Sequence, residues 1–164
     1  MMNTTNKEKK IVFRTHGGPD IGWGHVMRCS TLAQWLHRKY KIFFVVNQNG
    51  EVSAYLRKKG YTVFEIGKKD PEEKALNTVL SLTPDLFIHD IGTSPFEAMQ
   101  SLKNKSIKTL NFDDTAPHAK IATVLVDANR KERKGKEGRY FGVPYIVLHS
   151  LYPKLRKKAR RLHK

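Results

Sequence analysis

Cysteine is almost missing. Among 164 residues only Cys29 occurs, so no internal disulfide can form, and a reducing, cytoplasmic home is the expectation. Long hydrophobic runs are missing as well. No stretch of eighteen apolar residues exists to cross a bilayer as a helix. The opening MMNTTNKEKK is polar and lysine-rich, unlike a secretory leader, and residues 1–9 are expected to form a flexible N-terminus. Acidic residues are scarce: 15 Asp and Glu stand against 31 Lys and Arg, a formal charge of +16. That balance favours polyanionic partners. It is concentrated in RKERKGKEGR (130–139) and KLRKKARRLHK (154–164). Each run reads either as a solvated segment or, for the second, as a non-specific grip on nucleic acid or another polyanion. No aromatic residue interleaves the second run and no nucleic-acid motif is present, which argues against sequence-specific reading.

What is present is an alternation of strand and helix patterns. KIVFR (10–14), KIFFVV (41–46), YTVFEIG (61–67), DLFIHD (85–90), KTLNFDD (108–114) and ATVLVDAN (122–129) read as strands. Between them, Val26, Cys29, Ala33, Leu36 and Tyr40 recur at helical spacing from Gly24 to Tyr40. EVSAYLRKKG (51–60) ends at a glycine stop, Asp70-Pro71 opens a helix running to about Leu82, and Ser94 is placed to cap a helix over 94–105. YFGVPYIVLH (140–149), broken by Gly142 and Pro144, reads as an edge segment or loop. The pattern predicts an α/β domain over residues 10–150: a Rossmann-like, mostly parallel sheet with helices on both faces. Residues 151–164 follow as a basic tail or linker.

In such sheets ligands bind at the carboxyl ends of the strands. Three clusters fall there: the glycine loop RTHGGPDIGWGHVMR (14–28), HDIGTS (89–94) and FDDTAPH (112–118). The loop matches no established phosphate pattern. Met27 stands where GxGxxG needs its third glycine, and no GK[ST] follows. The start of the following helix still offers free N–H groups and a positive dipole end, an anion site as much as a tight turn. His25 sits in that first turn with Arg28 one turn later. Both favour a neutral imidazole, suited to act as a general base on water; capping or packing is the alternative. A metal site from His25, Cys29, His16 and Asp20 has permissible spacing but fits no zinc pattern, so neither metal nor cofactor is expected. Asp90, Asp113 and Asp114 either bind sugar hydroxyls, orient the histidine, hold a metal or cap the segments that follow. His16, His89 and His118 read as loop histidines.

FRTHGGPDIGWGHVMRCSTLAQWL, together with DLFIHDIG, TLNFDDTAPHAKIATVLVDANRK and, more loosely, FGVPYIVLHSLYPKLRKKARR, resembles the UDP-sugar hydrolases of pseudaminic acid synthesis and the related spore coat polysaccharide biosynthesis proteins. The resemblance runs in order from about residue 10 to about residue 160. It departs at His16, at Ile91-Gly92 and at His149. It implies the N-terminal half of a GT-B-type fold, with the active site between two domains. It also implies hydrolysis of a UDP-linked 2,4-diacetamido-trideoxy sugar with release of UDP. His25 would be the base. Gly22, Gly24 and Arg28 would shape the pocket floor, and Arg14, Asp90, Asp113 and Asn129 would line the sugar or diphosphate side. The second domain, carrying most of the uridine recognition, would come from a separate chain or lie outside this sequence, and the lone domain is expected to turn over weakly or not at all. The competing readings are a non-catalytic sugar-nucleotide or polyanion-binding module and the half-site of a GT-B glycosyltransferase.

If the basic tail grips polyanions, affinity for an arbitrary DNA duplex should fall steeply and linearly in log–log form as salt rises, while UDP-sugar binding in a shielded site should respond far less. A fluorescence-anisotropy titration at several salt concentrations checks this.

Overall fold

The computed structural model describes residues 8–67, 69, 71–131, 137–149 and 151–152. Seven strands are present among them: β1 (Lys10–Thr15), β2 (Lys41–Asn47), β3 (Thr62–Ile66), β4 (Leu86–Asp90), β5 (Lys108–Phe112), β6 (Val124–Asp127) and β7 (Arg139–Phe141). Four α-helices connect them: α1 (Gly24–Leu36), α2 (Gly50–Lys58), α3 (Pro71–Leu82) and α4 (Phe96–Asn104). All strands pair in parallel in the order β3-β2-β1-β4-β5-β6-β7. The chain builds outward from β1 to β3, then crosses back and builds the other way from β4. The direction of winding therefore reverses between β1 and β4, where the carboxyl ends leave a crevice. Thr15 and Asp90 are register partners at that point.

The period of two along each strand divides the core into two layers. Ile11 and Phe13 of β1, Phe44 of β2 and Ile88 of β4 face Val26, Cys29 and Ala33 of α1 and Val52 and Leu56 of α2. Val12, Val45 and Phe87 face Ala75 and Val79 of α3 and Met99 and Leu102 of α4. Phe13 and Phe44 stack with ring centroids 5.0 Å apart under the first layer. Strands this rich in Val, Ile and Phe are covered on both sides, as a parallel sheet requires.

The expected architecture is present, with local differences. The first helix ends at Leu36 rather than Tyr40. The N–H groups of Lys39 and Tyr40 both turn back to the Leu36 carbonyl, and Tyr40 still packs on the first layer from the turn that leads into β2. β5 stops at Phe112 because Asp113 adopts φ +49°, a left-handed conformation that no strand continues. Ser94 does not cap α4: Pro95 holds the cap position, and the Ser94 hydroxyl donates to Asp114 instead. The 140–149 segment supplies a short edge strand, β7, that ends at Gly142 with φ +96° and passes into a single 3-10 turn over Val143–Tyr145. Asp70 as a helix cap, residues 1–7 and the basic run 154–164 lie outside the described residues. No described helix is long and apolar enough to cross a membrane.

Phe44→Ala should cost about 3–5 kcal/mol of unfolding free energy, because it empties a fully buried site and unstacks Phe13. Urea unfolding followed by circular dichroism measures it.

Candidate active site at the β1–β4 crevice

The loop between β1 and α1 folds on itself through two backbone hydrogen bonds, Gly18 N–H to the Gly22 carbonyl (3.2 Å) and Gly22 N–H to the Gly18 carbonyl (2.7 Å). Gly22 takes φ +79°, a conformation that costs a side-chain-bearing residue free energy. Asn49 ties this loop to α2. Its Nδ2 donates to the Gly17 carbonyl (3.3 Å), while its Oδ1 caps α2 by accepting from Glu51 N–H (3.1 Å) and Val52 N–H (3.2 Å). α1 then starts at Gly24 with Trp23 at the cap position, no side chain bonded to the free N–H groups and no acid in the first turn. A Cβ at Gly24 would meet nothing within 4 Å, so the start of the helix is open space.

From that start, His25, Arg28 and Cys29 fall on one face of α1, at i, i+3 and i+4, and all three reach Asp90 at the tip of β4. His25 Nδ1 lies 2.7 Å from Asp90 Oδ1. Arg28 donates from Nε to Asp90 Oδ2 (2.8 Å) and from Nη2 to Asp90 Oδ1 (2.6 Å). The Cys29 thiol donates to Asp90 Oδ2 at 3.4 Å. Asp90 is fully buried. Burial alone would raise its pKa, but the hydrogen bonds from His25 and Arg28 and the guanidinium charge outweigh it and hold the carboxyl below its ordinary range. Burial and the Asp90 charge push the Cys29 thiol well up, so it stays protonated and donates. For Arg28, desolvation opposes the charge, and the bonds to Asp90 and Asp113 overcome it and raise its pKa.

An ionised carboxylate only accepts, so His25 carries its proton on Nδ1 and leaves Nε2 as the free nitrogen. Arg28 spans two strand tips, since its Nη1 also donates to Asp113 Oδ2 at 2.5 Å, and its guanidinium lies 4.7 Å above the Phe112 ring centroid. The His16 ring stands edge-on to His25 with centroids 5.0 Å apart. Burial, then His25 and Arg14, lower the His16 pKa. Among the described residues no group of three or more His, Cys, Asp and Glu side chains is arranged to hold a metal ion.

Of the sequence candidates, His25, Arg28, Asp90 and Asp113 come together, and Gly22 and Gly24 lie just before His25 at the loop end and helix start. Asn129 sits exposed in the turn after β6 at the same rim of the sheet, its N–H bonded to Asp127 Oδ1 (3.1 Å). Arg14 goes elsewhere. Its strand position points it to the α3–α4 side, where Nη2 donates to Asn47 Oδ1 (2.6 Å) and to Glu72 Oε1 (2.7 Å) with only 1% of the residue exposed. On that same face Asn111 Nδ2 donates to Asp114 Oδ2 (2.8 Å), which also accepts from Ser94. His118 engages the Ser94 carbonyl. These bonds lock the two loops after β4 and β5 together. His89 is buried there too, and desolvation lowers its pKa to about 4, so it is neutral at pH 7. The contact of His16 with His25 carried no sequence signal beyond proximity in the chain, and that of Cys29 with Asp90, 61 positions apart, carried none. A cleft of about 340 Å³ flanks the glycine loop, bordered by Gly17, Gly18, Asp20, Asn47, Gln48 and Asn49.

A seven-stranded parallel sheet wound in two directions, with a glycine loop and an uncapped helix start at the switch point, defines a Rossmann-like α/β domain whose fold is shared with GT-B domains. Solved structures of that shape include Acinetobacter baumannii MurG (TM-score 0.59, 14% identity, 79% of this chain and 44% of that one). Anabaena Alr3699/HepE in complex with UDP and glucose is another (TM-score 0.53, 11% identity, 74% and 38%). At the level of sequence, the chain is similar to the spore coat polysaccharide biosynthesis protein SpsG of Bacillus subtilis, 26% identical over 152 residues, which cover 86% of this chain and 43% of SpsG. An uncharacterized protein of Methanocaldococcus jannaschii is 26% identical over 163 residues, covering 91% of this chain and 33% of its own length. The chain thus spans less than half the length of these relatives. No protein-family model matches it.

His89 makes stability depend on pH. Its folded pKa, about 4, lies below the ordinary histidine value of 6.5, so the unfolded chain binds more protons between the two. Stability should be full above about pH 6.5 and fall toward pH 4, by up to about 1.4 kcal/mol per pH unit in that window. His89→Phe, which has no ring proton to gain, should flatten that slope in urea melts run from pH 4 to pH 7.

Proposed function

We propose that this domain carries the base of a UDP-sugar hydrolase and cleaves the anomeric C–O bond of a UDP-linked deoxy amino sugar of the 2,4-diacetamido-2,4,6-trideoxyhexose type. The observation that carries the reading is the buried Asp90 carboxylate bonded to His25 Nδ1 at 2.7 Å. This pair fixes one tautomer and leaves Nε2 to accept a proton. A water deprotonated by His25 attacks the anomeric carbon, the bond to the diphosphate oxygen breaks, and the electron pair leaves with UDP. Asp90 stabilises the imidazolium formed in that step, the role an acid plays behind a histidine base elsewhere. The uncapped start of α1 offers N–H groups and its dipole to the departing diphosphate. The amide side chain of Gln48, which borders the cleft beside the glycine loop, suits sugar hydroxyls, whereas Asn49 is held by Gly17 and α2 and the Asn47 Oδ1 by Arg14. Likeness to SpsG and to a fold seen with UDP and glucose in HepE supports a sugar nucleotide as the ligand. In this reading a second domain, in the same polypeptide or a separate one, completes the uridine side.

A glycosyl transfer reading is favoured by the likeness of the fold to MurG and HepE. The same His25 would then take its proton from an acceptor hydroxyl rather than water, and the sugar would leave as a glycoside.

With the second domain present, His25→Ala and Asp90→Asn should each lower UDP release by about 10²–10⁴-fold while thermal melts stay cooperative. Coupled detection of UDP measures the rate, and mass spectrometry of the sugar product separates the two chemistries. Free sugar supports hydrolysis, and a glycoside formed only with acceptor supports transfer. UDP release that is the same in both variants and the parent chain overturns the role of the pair.

A further inference from the structure

The reaction above gives the His16 ring no task, yet it packs directly on the base. Its centroid lies 5.0 Å from that of His25 with the planes inclined by 61°. The placement follows from the sheet. His16 is the residue after Thr15, and Thr15 is the register partner of Asp90, so the same strand pairing that brings Asp90 to the crevice delivers His16 beside it. The His25 ring is therefore engaged twice: by the Asp90 carboxylate at Nδ1 and by the His16 ring. One hydrogen bond fixes an atom but leaves the plane of an imidazole free to rock, and a ring against its side removes that freedom.

We propose that His16 is a positioning residue of this site, its ring packed edge-on against His25 to hold the imidazole with Nδ1 on Asp90 and Nε2 free. The proposal rests on the reading of His25 as the base. The groups acting on His16 are His25 from α1, Arg14 from β1, Asp90 from β4 and Glu72 from α3. Burial, His25 and Arg14 disfavour its charged form more than Asp90 and Glu72 favour it, so His16 meets His25 as a neutral ring.

The test is the rigidity of the His25 ring, read from ¹³C relaxation of its ring carbons in the full chain with labelled histidine at pH 7.5. The parent chain should show a His25 ring about as ordered as the backbone of α1. His16→Ala should lower that order parameter, and His16→Phe, which restores a flat ring without a nitrogen, should return the parent value. His16→Asn is read beside His16→Ala so that the result stands if one of them does not fold. An unchanged order parameter in a folded His16→Ala or His16→Asn overturns the proposal, as does failure of a folded His16→Phe to restore it. In turnover, His16→Ala should lower kcat by about tenfold with KM changed less than about twofold. Absence of UDP release with the second domain present defeats the hydrolase reading alone, because the relaxation measurements decide the role of His16 without activity.

Discussion

A carboxylate with no solvent at all is among the most expensive groups a protein can bury, and Asp90 at the tip of β4 is such a group. Its desolvation is offset by hydrogen bonds from one helix face: the His25 ring, two nitrogens of Arg28 and the Cys29 thiol. Much of the site geometry follows from meeting that demand. α1 must begin so that positions 25, 28 and 29 face β4, which sets the length and closure of the glycine loop. Arg28, once drawn to Asp90, also bridges to Asp113 and so fixes the tip of β5 against β4. An arrangement required for stability thus orients an imidazole with one nitrogen committed and the other free.

The tip of the sheet is polar on both faces, and the two faces do different work. Arg14, His89 and Asn111 are register neighbours on β1, β4 and β5, and all lie on the α3–α4 side. There they are closed off from solvent, and the partners of Arg14 and Asn111 are Asn47 at the end of β2, Glu72 of α3, and Ser94 and Asp114 of the loops after β4 and β5. Thr15, Asp90 and Phe112 follow one residue later on the same strands and face α1. A shift of one residue in strand register would exchange the two sets, placing Arg14 in the crevice and Asp90 under α4. The crevice geometry therefore depends on the strand pairing as much as on the loop that borders it.

Much of the architecture was legible. The alternation of β-branched strands with helical periodicity announces a parallel sheet with two covered faces, because only such a sheet buries runs like KIFFVV on both sides. The convergence of the glycine loop with the tips of β4 and β5 was equally readable, since ligand crevices in these folds lie at strand ends. Arg14 shows where that reasoning fails. It abuts the glycine loop in sequence, but the period of two sends its side chain through to the other layer. Ser94 is a second case: a serine ahead of a helix can accept from its free N–H groups as a cap, but Pro95 holds the cap position and the Ser94 hydroxyl donates to Asp114, brought close by the folding of a distant loop.

By itself the sequence determined the layers, the order of elements and the placing of His25 at the start of a helix, because these depend on periodicity and on local backbone chemistry. Only the tertiary structure decided that Asp90 is the partner of that histidine, that Arg28 is spent between two carboxylates and that His16 lies against the ring. Those facts depend on which strand tips become neighbours and on which face each side chain leaves, and long-range pairing sets both.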